Sequence, residues 1–515
     1  MAAISLQNAD VSLAGTTRGW SIRATPATLC RLTLWTFVLV LVTNTSADPD
    51  LWGHLRFGLD MLASKSTHAA DVYSFTADRA WINHEWLSEL LMAIGYAALG
   101  ALGLNLLKLA VVAVVGGIAL VIARQEHASP IARDVYVAMT VVATYTRTQV
   151  VRPQMFSVAI FCVVLYLLRE TERGRPRALW YVPLFFAAWV NLHGGWIVGL
   201  AALGVWMLGD AWQRRSIRWT FALTAVGALV LVTTLFNPYG LGLWQFLAET
   251  VGLDRPDITD WKPLLQLPPA ILVIESILPL TAIASLQRGR SWRRVPLRDI
   301  AVLTLLSLAT FRVGRIDAFL QAAIAIVLAR PIITFLNGID LKARGPFRRA
   351  SAPVGAMALI LAAYAVVTGF SSLRVINVGG PWVPDRTAAA FLRENSPGAR
   401  VLTWFDWGEY ALWQLSPSGI RVSMDGRRET VYSARVLRDH ERFYQGQADM
   451  VDYPERIGAD RVWLPSRLPI IEPLKRRGWM TVLDTGQSVI LGRGAGPIAV
   501  HAVTPPSGSD IFPWP

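Results

Sequence analysis

The segment Ala47-Asp48-Pro49-Asp50-Leu51-Trp52-Gly53-His54-Leu55-Arg56 sets two carboxylates, an imidazole and a guanidinium close together, directly after the first apolar run. A carboxylate at a lipid–water boundary can take a proton from an incoming hydroxyl or amine, an assistance of about 10²- to 10⁴-fold when the acceptor comes within hydrogen-bond reach. The alternative is that Asp48 and Asp50 only cap or end a helix, since Asp beside Pro is common in turns. Arg147, Arg152, Arg312 and Arg315 lie at ends of later apolar runs. Arginines so placed can hold a phosphate or diphosphate leaving group through charge-assisted, often bidentate, hydrogen bonds, or simply snorkel to lipid headgroups. Base plus arginine clamp is the chemistry of group transfer from a phosphate carrier. His84, Glu85 and His193 add polar groups beside apolar helix starts, and Asp48, Asp50, His54, His84 and Glu85 have ligand chemistry for a divalent cation, without a motif spacing. No GxGxxG, Walker A, HExxH or GxSxG pattern is present, which removes the nucleotide, zinc-protease and hydrolase readings.

The elements that must position these residues are apolar. Of 515 residues, 53% are hydrophobic and only 17% charged, against about 25% charged in soluble chains. Two cysteines, Cys30 and Cys162, leave no material for a disulfide framework or a CxxC cluster. Of the net charge of +13, residues 1–372 hold 32 basic against 21 acidic side chains, and residues 373–515 hold 17 against 15. The surplus sits as short clusters between apolar runs. It is not a solvated basic face with interleaved aromatics, so the expected partner is membrane lipid and not nucleic acid.

A membrane-crossing helix needs about 20 apolar residues. Runs at 29–47, 105–123, 132–148, 153–169, 178–193, 195–212, 218–236, 268–287, 297–311, 314–334 and 351–372 predict a polytopic α-helical domain of about eleven spans over 29–372, after a cytoplasmic tail at 1–28. The stretch 86–103 is apolar yet carries Glu89. If it does not cross, later loops place 19 basic residues on one side and six on the other, and basic residues accumulate inside. That split predicts an interfacial or re-entrant helix within an outer loop spanning 48–104. It sets the N-terminus in the cytoplasm and the C-terminal region outside. Asp48, Asp50, His54, Arg56, His84, Glu85, Arg147, Arg152, His193, Arg312 and Arg315 then converge on the outer face.

Beyond residue 372 the pattern changes. Short β-rich runs at 400–404, 420–424, 461–464, 480–483 and 488–491 alternate with helical stretches at 387–394, 408–415 and 434–444, predicting a small extracytoplasmic α/β domain over 373–515 that ends in a loose tail.

The position of Asp50, followed by Met61-Leu62-Ala63-Ser64 and then by the loop ending Ile82-Asn83-His84-Glu85-Trp86-Leu87, resembles the first outer loop of the GT-C membrane glycosyltransferases, a superfamily that includes protein mannosyltransferases and aminoarabinose transferases. Trp404-Phe405-Asp406-Trp407-Gly408 is similar to the Trp-Trp-Asp-Tyr-Gly motif of the oligosaccharyltransferase catalytic subunit, with Phe and Trp replacing Trp and Tyr. The resemblance implies transfer of a sugar, with inversion, from a polyprenyl-phosphate or polyprenyl-diphosphate donor on the non-cytoplasmic face of a bacterial inner membrane. It implies Asp50 as base and Asp48 as helper or metal ligand, one or two of the four arginines on the carrier phosphate, and an acceptor that is lipid, glycan or protein. Trp404, Asp406, Trp407, Asp425 and Arg427 would then face the acceptor, or belong to the core and a charged turn of the outer domain. Two other readings compete. A lipid or glycan transporter is favoured by Glu275 inside an apolar run, and a non-enzymatic envelope assembly protein would tolerate loss of both aspartates.

Overall fold

A computed structural model describes residues 26–67, 71–145, 147–250, 252, 258, 261–339, 352–380, 382–493 and 510–513. The expected tail up to residue 25 lies outside the described residues, as does most of the expected loose C-terminal end.

The first part is helical: α1 (Pro26–Thr43), α2 (Leu51–Ser64), α3 (Trp86–Leu99), α4 (Ala101–Gln125), α5 (Pro130–Tyr145), α6 (Gln154–Glu172), α7 (Val182–Leu192), α8 (Trp196–Arg214), α9 (Ile217–Thr233), α10 (Leu241–Thr250), α11 (Pro269–Arg288), α12 (Leu297–Arg312), α13 (Asp317–Val327), α14 (Ala329–Asn337) and α15 (Ala352–Ser372). Apolar side chains such as Leu208, Phe221, Leu280 and Phe370 stay exposed on α8, α9, α11 and α15, as contact with lipid requires. The chain is a multi-pass membrane protein.

The expected count of about eleven spans is not reached. Among the described residues four helices are long and apolar enough to cross, at 101–125, 154–172, 269–288 and 355–372, or five if α13 and α14 form one broken span. The reason is physical: apolar runs continue through points where the helix stops. The run 314–334 is divided between α13 and α14, which meet at 66°, with Pro331 in the first turn of α14, where a missing amide costs nothing. The stretch 86–103 ends as a helix at Gly100, whose φ of +60° suits glycine. The 14 residues of α3 reach about 21 Å, short of the roughly 30 Å of hydrocarbon.

The C-terminal part holds α16 (Arg386–Asn395), β1 (Arg400–Thr403), α17 (Gly408–Leu415), β2 (Arg421–Val422), α18 (Ala434–Tyr444), α19 (Tyr453–Arg456), β3 (Arg461–Pro465), α20 (Ile471–Arg476), β4 (Met480–Asp484) and β5 (Ser488–Gly492). The sheet runs β2-β1-β3-β5-β4, parallel through β2, β1 and β3, then antiparallel. Its edge is extended by the loop after α2, where Ser74 bridges Val422. One apolar core therefore joins α2, α3 and the C-terminal sheet: Trp52 is fully buried, its ring set edge-on to Tyr410 and Trp382 and tilted against Phe512. Its indole donates to the carbonyl of Pro513 at 2.7 Å, so this part of the expected loose tail is fixed. A second core, including Phe161, Phe186, Trp189, Trp196 and Phe319, fills the helical bundle.

Candidate active site

The chain from Asn44 to Asp50 is held by polar groups of α4. Lys108, fully buried, donates to the carbonyl of Asn44 at 3.0 Å, and Asn105 takes the Thr45 hydroxyl at 2.5 Å. Asn105 also donates to the carbonyls of Leu373 and Val375, and the amide of Ala47 donates to Asn377 at 2.8 Å. The linkers leaving α1 and α15 are thus tied to one point, which fixes where α2 begins.

Asp48 is buried, and its side chain accepts the Asp50 amide at 2.9 Å. Arg152, just before α6, pairs with both aspartates, through Nε with Asp48 and through Nη2 with Asp50 Oδ2 at 2.8 Å. The Asp50 side chain keeps 37% of its exposure against 11% for Asp48. The arrangement therefore offers one accessible carboxylate, oriented by a guanidinium that a buried carboxylate holds in place.

Glu409, which the sequence reading did not select, reaches this place from α17. Its carboxyl lies so close over Gly53 that a Cβ there would fall 1.5 Å from Oε2, and a Cβ on Gly426 would meet both Asp50 Oδ1 and Glu409 Oε1 at 2.8 Å. Burial, then the negative charges of Asp425 and Asp50, push the Glu409 carboxyl well above the usual carboxylate range. The protonated form is thereby favoured, and a protonated carboxyl can donate a hydrogen bond. The only sequence signal was an acid directly after the aromatic motif, in the first turn of a helix, where acids are common anyway. Gly426→Ala should displace both carboxyls and cut activity by tenfold or more while the protein remains folded, read as rate against yield in the membrane, where each tenfold is about 1.4 kcal/mol of barrier.

One turn along α2, His54 Nδ1 lies 3.0 Å from Glu89 and 4.0 Å from Glu85. Asn83 donates to the other Glu89 oxygen at 2.6 Å, and His84 and His193 approach Glu85 at 3.7 and 3.6 Å. His193 Nδ1 accepts from the Gly195 amide at 2.9 Å, which leaves the proton on Nε2 facing Glu85. Burial works against a charged His54, but the hydrogen bond to Glu89 and the charges of Glu85 and Glu89 outweigh it and hold the imidazole at about 9. Glu85, raised by burial but lowered further by His84, His193 and His54, stands at about 2. Because the folded value of His54 exceeds its ordinary 6.5, the stability it contributes is complete below pH 6.5 and is lost as pH rises through about 9. Thermal unfolding with a chelator present should fall between pH 7 and 9.5, and His54→Gln should flatten that slope.

A divalent cation at Asp48 and Asp50 meets a guanidinium already seated between them, so this pair does not fit one in this arrangement. His54, Glu85 and Glu89 bring three ligand atoms within 4.8 Å of one another and fit a divalent ion, provided the imidazole proton leaves.

The remaining selected residues are placed differently. Arg147 is buried in a two-pronged pair with Asp317, at 2.9 Å on each prong. Arg315 exchanges hydrogen bonds with Gln154 and acts electrostatically on Glu85, while Arg312 is exposed at the end of α12. Arg56 pairs with Asp60 at 2.9 Å. Trp404 donates to Asp406 at 3.1 Å and sets its ring edge-on to Tyr444, and Trp407 is buried against Trp463. Asp425 and Arg427 form a buried pair at 2.7 Å. Arg427 also reaches Asp71 at 2.7 Å and is enclosed by the rings of Phe57, Tyr73 and Trp81.

No family model and no curated protein matches the chain. Among solved structures, the arabinofuranosyltransferase AftD from Mycobacteria aligns with a TM-score of 0.51 at 13% identity, over 92% of this chain and 41% of that one. ArnT from Cupriavidus metallidurans in the apo state aligns at 0.50 and 13% identity, over 90% of this chain and 96% of that one. The chain shares its fold with these two structures. It spans about two fifths of AftD's length and nearly all of ArnT's. In this chain Asp50 stands directly before α2, at its N-cap.

Proposed function

We propose that the chain is a membrane glycosyltransferase that moves a sugar from a polyprenyl-phosphate-type donor to an acceptor hydroxyl or amine, with Asp50 as base. The observation that carries this reading is the half-exposed Asp50 carboxylate, clamped on one oxygen by Arg152, in a chain that shares its fold with AftD and ArnT. Arg152 fixes Oδ2 and leaves Oδ1 to accept the acceptor's proton. As that proton moves to Asp50, the acceptor atom bonds to the anomeric carbon from the side opposite the carrier. The bond from that carbon to the phosphate oxygen breaks, and polyprenyl phosphate leaves with the electron pair, so the configuration inverts. Arg315, at the rim near Glu85, is the arginine we assign to the carrier phosphate, where a guanidinium offsets the charge that develops on the leaving oxygen. Arg147, paired with Asp317, and the outward-facing Arg312 are not assigned that role. Glu409 and Asp50 both lie against the backbone of Gly426. A divalent ion at His54, Glu85 and Glu89 would add positive charge near that phosphate; none of these steps uses it.

The test is the glycan inventory. Mass spectrometry of lipid-linked and surface glycans should show a sugar missing from a deletion strain and restored by the wild-type chain. Restoration by an Asp50→Asn chain produced at equal level would exclude the carboxylate mechanism.

A further inference from the structure

The end of the helical bundle remote from Asp50 holds a cavity of about 700 Å³. The two ends are joined by α6, which begins two residues after Arg152 and runs 19 residues, about 28 Å. The cavity is walled by the far ends of α6, α11 and α13, by α14 along its length, by the start of α12 and by Glu126 beyond α4. Five arginines and three acids line it, a surplus of two positive charges. The acids are already engaged: Glu126 takes Arg169 at 2.5 Å and Arg173 at 2.8 Å, with Arg330 at 4.0 Å. Glu172 takes Arg298 at 2.9 Å and the Trp206 indole at 2.8 Å, and Asp299 lies 3.6 Å from Arg298. Arg288 and Arg294 are left without a carboxylate among the described residues, Arg288 lying only over the ring of Phe335.

Two free guanidinium forks in a polar hollow bind phosphate chemistry well. The surroundings select its source. On the α11 stripe that ends in Arg288, Leu280 and Ile277 lie about two and three turns back, and both are exposed. Trp292 and Leu297 are exposed beside the cavity, as expected of residues that meet a membrane interface. A free anion needs no such apolar track; an acyl chain does.

We infer that this cavity is a site for the phosphate-bearing headgroup of an anionic membrane phospholipid, with Arg288 and Arg294 as its ligands and an acyl chain along α11. The inference does not depend on the transferase reading.

The experiment uses the purified, delipidated full chain in detergent. It is titrated separately with phosphatidylglycerol, phosphatidylcholine and inorganic phosphate, and bound lipid is counted by native mass spectrometry beside the melting temperature. Phosphatidylglycerol should bind and raise the melting temperature, phosphatidylcholine should not, and Arg288→Ala with Arg294→Ala should weaken phosphatidylglycerol binding by about tenfold or more. Unchanged binding in the double variant, or equal binding of phosphatidylcholine, would overturn the inference. Stabilisation by millimolar phosphate with displacement of the lipid would overturn it in favour of a soluble anion. If the double variant does not fold, Thr334→Trp fills the cavity without altering charge and must give the same loss; retained binding there also overturns the site.

Discussion

Asp50→Asn should lower sugar transfer by about 10²- to 10⁴-fold at unchanged yield of folded protein. Asparagine keeps the shape of the side chain and an oxygen for Arg152, and the position is exposed enough that loss of its charge costs little stability. What it removes is the capacity to take a proton. Asp48→Asn should behave differently. Asp48 is buried behind Arg152, so it acts by holding the guanidinium, and Arg152 retains Asp50 in the variant. A smaller loss of rate is expected there, accompanied by a lower melting temperature. Rates in proteoliposomes, normalised to protein eluting as a single species, separate the two cases.

The second large effect concerns stability. Arg427 is enclosed by Phe57, Tyr73 and Trp81 and pairs with Asp425 and Asp71, whose side chains are almost fully buried. Arg427→Met fills much of the same space but leaves two carboxylates without their cation, and breaking a buried pair from one side costs about 3 to 5 kcal/mol. Because Asp71 lies between α2 and α3 and Asp425 in the sheet region, unfolding should begin where these two meet. Proteolysis should therefore cut first between residues 65 and 85. Arg427→Lys, which restores charge without the planar fork, should recover part of the loss. Unaltered thermal stability in Arg427→Met would contradict the structural role and return the residue to the acceptor-facing candidates.

The C-terminal elements were readable because each is short and bounded by turn residues. All five strands fall within a residue or two of the β-rich runs, and α16, α17 and α18 lie where helical spacing placed them. α19 and α20, of four and six residues, are too short to show a period. The spans were over-read for the opposite reason. Apolarity persists through breaks such as that between α13 and α14, and composition does not report where backbone hydrogen bonding stops.

At the site, Asp48 and Asp50 are neighbours in sequence and were visible as a pair, whereas their cation comes from 102 residues away. Arg147 and Arg152 look alike in sequence, each at the edge of an apolar run. Only the fold gives one to Asp317 and the other to the aspartate pair. The aromatic motif drew attention to Trp404, Asp406 and Trp407, yet its chain continues into Glu409, the residue that touches the aspartate site. A buried acid one step past a motif carries no periodic signature, and its neighbours Gly53 and Gly426 acquire meaning only when the three segments meet.

The central claim is that Asp50 serves as the base for transfer from a lipid-linked sugar. It is tested most directly by incubating purified wild-type and Asp50→Asn protein with the lipid extract of a deletion strain, in which unused donor accumulates, and following release of polyprenyl phosphate by mass spectrometry. The account predicts release by the wild-type chain, dependent on added acceptor, and release at least about a hundredfold slower by Asp50→Asn. Equal release by the two proteins, or a wild-type chain that carries the lipid across a vesicle bilayer without cleaving it, would contradict it.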